Sequence, residues 1–176
     1  MRLGAKFAAA LALVIAAALC GCGYGVAGRT TRVSPNVQTI AIPAFENRTQ
    51  SYLVEQMLTE SVVREFGTRT RYRIVTAPSD EADATLRGVV LSSNISPVTF
   101  DSKTGRASTA LVTVSVSVTF TDRQGKTIYS NPSYTFREQY QISRELSSFF
   151  EEESTALTRV SQDFARTLVS NVLEAF

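Results

Sequence analysis

Val112-Thr113-Val114-Ser115-Val116-Ser117-Val118-Thr119-Phe120 alternates apolar and hydroxyl-bearing residues without a break. A period of two over this length predicts a long antiparallel strand with one buried face and one hydroxyl-rich face. Asp122-Arg123-Gln124-Gly125 follows as a hairpin turn, with Gly125 where positive φ is expected. The return strand is predicted over about Thr127 to Gln141, interrupted near Asn131-Pro132.

Working outward, Asp101-Ser102-Lys103-Thr104-Gly105-Arg106 reads as a turn or longer loop, and Ala84 to Ile95 as a strand broken by Pro97. Pro78-Ser79-Asp80-Glu81-Ala82-Asp83 is a loop whose acids have the chemistry for a hard cation, although neighbouring carboxylates in a loop are usually just solvated. Tyr72 to Thr76 is a short strand. Val37 to Ile42 is another, ended by Pro43, and Phe45 to Thr49 reads as a loop. Ser51 is placed to cap a helix running to about Phe66, with Gly67 as its stop. Val54, Leu58, Ser61, Val62 and Glu65 fall on one face, widened by Leu53, Met57 and Phe66. A last helix starts near Glu151-Glu152-Glu153, where acids suit the positive end of the helix dipole. Its apolar stripe is Leu157, Val160, Phe164, Leu168, Val172 and Ala175. The order β-α-β-β-β-β-α predicts an α+β two-layer sandwich: two helices on one face of a mixed, largely antiparallel sheet of about four to five strands.

Composition narrows the chemistry. The chain has 176 residues, 18 Lys+Arg against 16 Asp+Glu, no His, no Trp and two Cys. A formal charge of +2 gives no footprint for nucleic acid. Without His there is no Ser-His-Asp triad, His-ligated metal or His proton shuttle. Neither G-x-S-x-G nor S-x-x-K occurs. No enzymatic activity, cofactor or metal is expected. A hydrolase using Ser and a carboxylate is the weakest of the alternatives.

The N-terminus has the form of a targeting segment. Arg2 and Lys6 precede an unbroken apolar stretch from Phe7 to Leu19, the length of a signal-peptide h-region and short for a bilayer span. Leu19-Cys20-Gly21-Cys22 resembles the bacterial lipobox, with small Gly21 before Cys22 and bulky Leu19 disqualifying Cys20. Residues 1–21 are expected to be cleaved and Cys22 to be the lipid-attachment residue, its acyl chains anchoring the protein in a membrane. Gly23, rather than Asp, leans toward outer-membrane delivery. Cleavage removes Arg2 and Lys6 and leaves 16 cations against 16 acids, a neutral chain. Residues 22–36 are Gly-, Thr- and Ser-rich and read as a tether, and residues 37–176 as a single α+β domain.

In order along the chain, Cys22-Gly23-Tyr24-Gly25-Val26-Ala27-Gly28, Ile40-Ala41-Ile42-Pro43-Ala44-Phe45-Glu46-Asn47, the helix Leu58-Thr59-Glu60 to Glu65-Phe66, Tyr72-Arg73-Ile74-Val75, and Ala82-Asp83-Ala84-Thr85-Leu86-Arg87-Gly88 resemble the lipopolysaccharide-assembly lipoprotein family, LptE. The resemblance implies two helices on a mixed sheet, at the periplasmic side of the outer membrane. It also implies partnership with a β-barrel translocon (LptD), which such proteins plug while lipopolysaccharide passes to the cell surface. The Ser/Thr-rich face would then line the barrel lumen, where polar surface suits a wet channel. Lys103 and Arg106, flanking Gly105, are the candidate contacts to lipopolysaccharide phosphates. A solvated loop is the plainer reading of the same two residues. The strand-Pro-x-Phe-x-Asn segment also occurs in curli-secretion-like and TolB-N-terminal-like domains, which leaves a secretion- or transport-accessory lipoprotein as the alternative.

Overall fold

The computed structural model describes residues 37–77, 81–142 and 146–175, the side chains of 146–151 excepted. Its strands are β1 (Thr39–Ala41), β2 (Glu46–Asn47), β3 (Arg73–Val75), β4 (Ala84–Phe100), β5 (Ala107–Asp122) and β6 (Thr127–Gln141). The helices are α1 (Val54–Arg69), between β2 and β3, and α2 (Leu146–Glu174), after β6. The sheet order is β3-β1-β4-β5-β6, with β2 also on β4. β1 pairs in parallel with β3 and β4, and β2 in parallel with β4, whereas β4-β5 and β5-β6 are antiparallel. The architecture is α+β, two helices against a mixed sheet.

The predicted alternation of β5 is what builds the core. Val112, Val114, Val116, Val118 and Phe120 are all buried. Partners directly opposite on antiparallel strands share a face, so Leu86, Val90, Tyr134 and Tyr140 join them. Both helices cover this face. Phe164 of α2 meets Phe45, Tyr134 and Phe136 edge-on, with ring centroids 6.1, 5.9 and 5.7 Å away. Edge-to-face rings contribute beyond area burial, and a fully buried Phe contributes about 2–3 kcal/mol by burial alone. The helices are also tied to each other, Arg69 Nη1 donating to Ser170 Oγ at 2.8 Å.

The Ile-Ala-Ile-Pro-x-Phe-x-Asn segment has a physical reason at each position. Ile40 and Ile42 are core residues, and Pro43 interrupts the edge between β1 and β2. The Phe45 amide donates to Thr59 Oγ1 (3.0 Å), which itself donates to the Glu55 carbonyl (2.6 Å), so the buried hydroxyl is satisfied. Asn47 pins the next turn: its Nδ2 donates to Ser51 O and Glu55 Oε2, while its Oδ1 accepts from Thr49 N and Oγ1.

Several expectations are corrected. The sheet has six strands rather than four to five, because Glu46–Asn47, read as loop, pairs with Val89 and Val90. Helix α1 begins at Val54 behind Leu53 in the left-handed region (φ 61°), while the Ser51 hydroxyl bonds Ser93 instead of capping. Gly67 does not stop α1; the helix runs to Arg69, where Thr70 N and Oγ1 both bond the Phe66 carbonyl. Ser61 and Glu65 lie outside the buried face, which is Val54, Leu58, Thr59, Val62 and Phe66. β4 continues through Pro97 to Phe100, since an edge strand tolerates a missing N–H. Helix α2 starts earlier than expected, so Glu151–Glu153 fall in its second turn, and Ala175 lies beyond its end and is exposed. The positive φ of Gly125 (81°) is as expected.

Candidate functional site: an open hydroxyl face and a cationic hairpin tip

Because both helices take one face of the sheet, the other is left uncovered among the described residues. Its composition follows from register. Asn94, Thr113 and Arg137 form one row across β4, β5 and β6, and Ser92, Ser115 and Thr135 the next. Arg87, Thr119 and Ser130 make a row nearer the β5-β6 turn. Ser115 and Thr135 hydroxyls lie 3.2 Å apart, and Thr99 Oγ1 donates to Thr109 Oγ1 at 2.6 Å. The β5 residues of this face are half-buried or exposed. It is a hydroxyl-rich surface, carrying Arg87 and Arg137 as its charges on these rows.

The β4-β5 hairpin carries this face far from where the chain enters the domain. Residue 37 lies beside the start of β4, since Asp83 Oδ2 accepts from the Gln38 and Thr39 amides at 2.9 and 3.0 Å. These bonds, helped by Arg123 with Nη2 at 3.4 Å from Oδ1, hold the Asp83 carboxyl below the usual carboxylate range. From there β4 runs 17 residues, about 50 Å of extended chain at about 3.3 Å per residue.

At the far end Lys103 and Arg106 share one exposed turn. Asp101 builds it: Oδ1 accepts from Lys103 N (2.9 Å), Thr104 N (2.8 Å) and Thr104 Oγ1 (3.1 Å). The Gly105 amide donates to Asp101 O, the Asp101 amide to Arg106 O, and Gly105 takes φ 65°. The two candidate cations therefore stand on one preformed loop, which the Asp101 carboxylate ties together. Cys22 lies outside the described residues, as does Asp80 of the acidic loop. Among the described residues no group of three metal-ligating side chains gathers. A polar groove of about 220 Å³ between the helices is lined by Ser61, Arg64, Glu65, Gln162, Ala165 and Arg166. Sequence reasoning missed an exposed apolar edge on β4; its one signal was the failure of clean alternation after Ile95.

The fold is that of several bacterial lipoproteins. Lipoprotein B from Nitrosomonas europaea is similar at 12% identity, over 75% of this chain and 79% of that one, with a TM-score of 0.51. The rare lipoprotein B from Shewanella oneidensis is similar at 12% identity, over 76% of this chain and 94% of that one, also at 0.51. At such identities the likeness is one of fold. No significant match occurs among curated proteins.

The protein thus falls in a class of two-layer α+β domains with one helix-covered and one open sheet face. A family model for lipopolysaccharide assembly, LptE, matches residues 37–172, more than three quarters of the chain. The chain belongs to the LptE family of lipopolysaccharide assembly. Among the described residues no helix is long and apolar enough to cross a membrane.

Proposed function

We propose that the protein is a lipid-anchored lipoprotein of the outer membrane that plugs the β-barrel of the lipopolysaccharide translocon and helps deliver lipopolysaccharide to the outer leaflet. The observation that carries this reading is the open hydroxyl-rich sheet face on a domain whose other face packs against its helices. A wide barrel has a polar, wetted interior, and a surface of Ser, Thr, Asn and Arg is matched to it in polarity. Membership of a lipopolysaccharide-assembly family supports the same reading. Cys22 supplies the anchor through its acyl chains, and residues 22–36 tether the domain to it. Lys103 and Arg106 offer charge-assisted hydrogen bonds to lipopolysaccharide phosphates at the hairpin tip.

Co-purification tests it. The full-length protein, solubilised from membranes, is expected to bring down an LptD-like barrel in stoichiometric amount together with lipopolysaccharide. A preparation that retains the anchor and the fold yet carries no barrel overturns the plug. Cys22→Ser is expected to release the domain from membranes that lack the barrel, and continued fractionation with them overturns the anchor.

A further inference from the structure

The five large hydrophobic side chains exposed among the described residues all lie along one edge of the sheet: Tyr52 (85%), Leu91 (39%), Ile95 (44%), Val98 (48%) and Phe100 (60%). Four belong to β4. Tyr52 sits in the loop before α1, and its neighbour Ser51 fastens that loop to β4 through the Ser51–Ser93 hydroxyl bond of 2.9 Å. Exposed apolar surface confined to one line marks a contact.

Among the described residues the backbone of the same edge is open. β1 covers β4 at Ala84 and Thr85, β2 covers it at Val89 and Val90, and the Arg48 amide makes the last bond, to Val90 O at 3.1 Å. Among the described residues, β4 pairs with β5 alone beyond Val90. Two short parallel segments therefore already sit in file on this edge, and no described segment takes the next place in the file. The sheet's other long edge, on β6, carries Asn131, Arg137, Gln139 and Gln141, the polar dress that discourages strand addition.

We propose that a short extended segment of the barrel partner docks on β4 between Leu91 and Pro97 as a further strand, its apolar side chains covering Tyr52, Leu91 and Ile95. The proposal rests on the plug reading and names the surface through which the plug is held. Strand addition takes its affinity from main-chain bonds and its selectivity from side chains on the two faces. The open stretch is short: the register shifts at Val90/Ser92, and again at Pro97/Thr99 just past a residue with no N–H to offer. A second copy of β4 would bring the same register shifts and the same Pro97 without an N–H to the other side of the ladder, making both strands irregular. A lipid chain would cover the side chains and leave the main-chain groups unpaired.

The test uses the purified complex of full-length protein and barrel, with p-benzoylphenylalanine replacing Leu91, Ile95 or, on the polar edge, Gln139. Leu91 and Ile95 are expected to crosslink to one contiguous barrel segment and Gln139 not to reach it. The Ser93 and Ile95 amides are expected to exchange hydrogen at least about tenfold more slowly in the complex than in the free protein. A complex in which positions 91 and 95 crosslink to lipid, to a second copy or to scattered sites, or in which those amides exchange as in the free protein, overturns the docking while leaving the plug intact. Failure to form any complex overturns both.

Discussion

Gly88 lies directly beneath the ring of Phe45: a Cβ at Gly88 would come within 2.4 Å of Phe45 Cδ2 and Cε2. The ring also packs edge-on against Phe164 at 6.1 Å, and its own amide is bonded to Thr59. At 3% exposure it has packed neighbours, not solvent, to yield into. Gly88→Ala is therefore expected to destabilise the domain by about 1–3 kcal/mol through overpacking. Phe45→Leu should cost a similar amount through the space it opens. The two changes share that space, so the double variant is expected to be more stable than the sum of the single losses implies. Urea denaturation of the three variants measures the coupling, and strict additivity would refute the contact.

Asp83 ties the entry of the chain to the sheet through the Gln38 and Thr39 amides, with Arg123 nearby. Those bonds favour the carboxylate, so its folded pKa lies below its unfolded one. A depressed acid contributes stability that is present above the unfolded pKa of about 4 and is lost as pH falls through the folded value. Asp83→Asn is thus expected to be about 1 kcal/mol less stable at pH 7. Its stability should converge on that of the parent protein as pH drops below about 4. Denaturation curves from pH 7 to pH 3 check the convergence.

Tyr134 sits where β6 meets α2, accepting from Asn171 Nδ2 at 2.7 Å and hydrogen-bonded to the Tyr129 hydroxyl. Burial, reinforced by the Tyr129 hydrogen bond, pushes its phenol up to about 12. A raised acid pKa contributes stability that is intact below the unfolded value of about 10 and disappears as pH climbs toward the folded one. Alkaline unfolding between about pH 10 and 12 is expected to be accompanied by ionisation of this tyrosine. Tyr134→Phe should leave the Asn171 amide unpartnered at a cost of about 1–2 kcal/mol at neutral pH. Absorbance at the tyrosinate band, followed alongside circular dichroism, separates the two effects.

What was legible in the chain was what a period can encode. Val112 to Phe120 announces a strand with a buried and a hydroxyl face because one side chain in two must enter the core. Leu157, Val160, Phe164 and Leu168 announce α2 in the same way at helical spacing. β2 was not legible, since Glu46–Asn47 is too short to display any period and is a strand only because β4 offers an edge. Gly67 and Pro97 misled for a common reason. Each breaks regular structure in isolation, yet neighbours on α1 and β5 hold the chain through both positions. The cationic tip could be located, because Asp101, Gly105 and the flanking charges are turn chemistry written locally. The apolar edge could not, because exposure of Ile95 depends on how far β1 and β2 extend along β4.

The tip allows charge and shape to be separated. Lys103 and Arg106 are exposed, whereas Asp101 holds three bonds that fix the turn on which both stand. Lys103→Ala and Arg106→Ala are each expected to leave stability within about 0.5 kcal/mol of the parent. Each should weaken binding of lipopolysaccharide by about tenfold if it loses a charge-assisted bond of about 1.4 kcal/mol. The loss should shrink as salt is raised, and should be absent for lipopolysaccharide stripped of its phosphates. Asp101→Ala removes a negative charge, so a purely electrostatic site would bind more tightly. A site that requires the preformed turn would instead bind more weakly, because the loop must be ordered when the ligand arrives. The geometry favours the second outcome, and calorimetric titration of the three variants decides it. Unchanged affinity in both Lys103→Ala and Arg106→Ala would remove the tip from the binding surface.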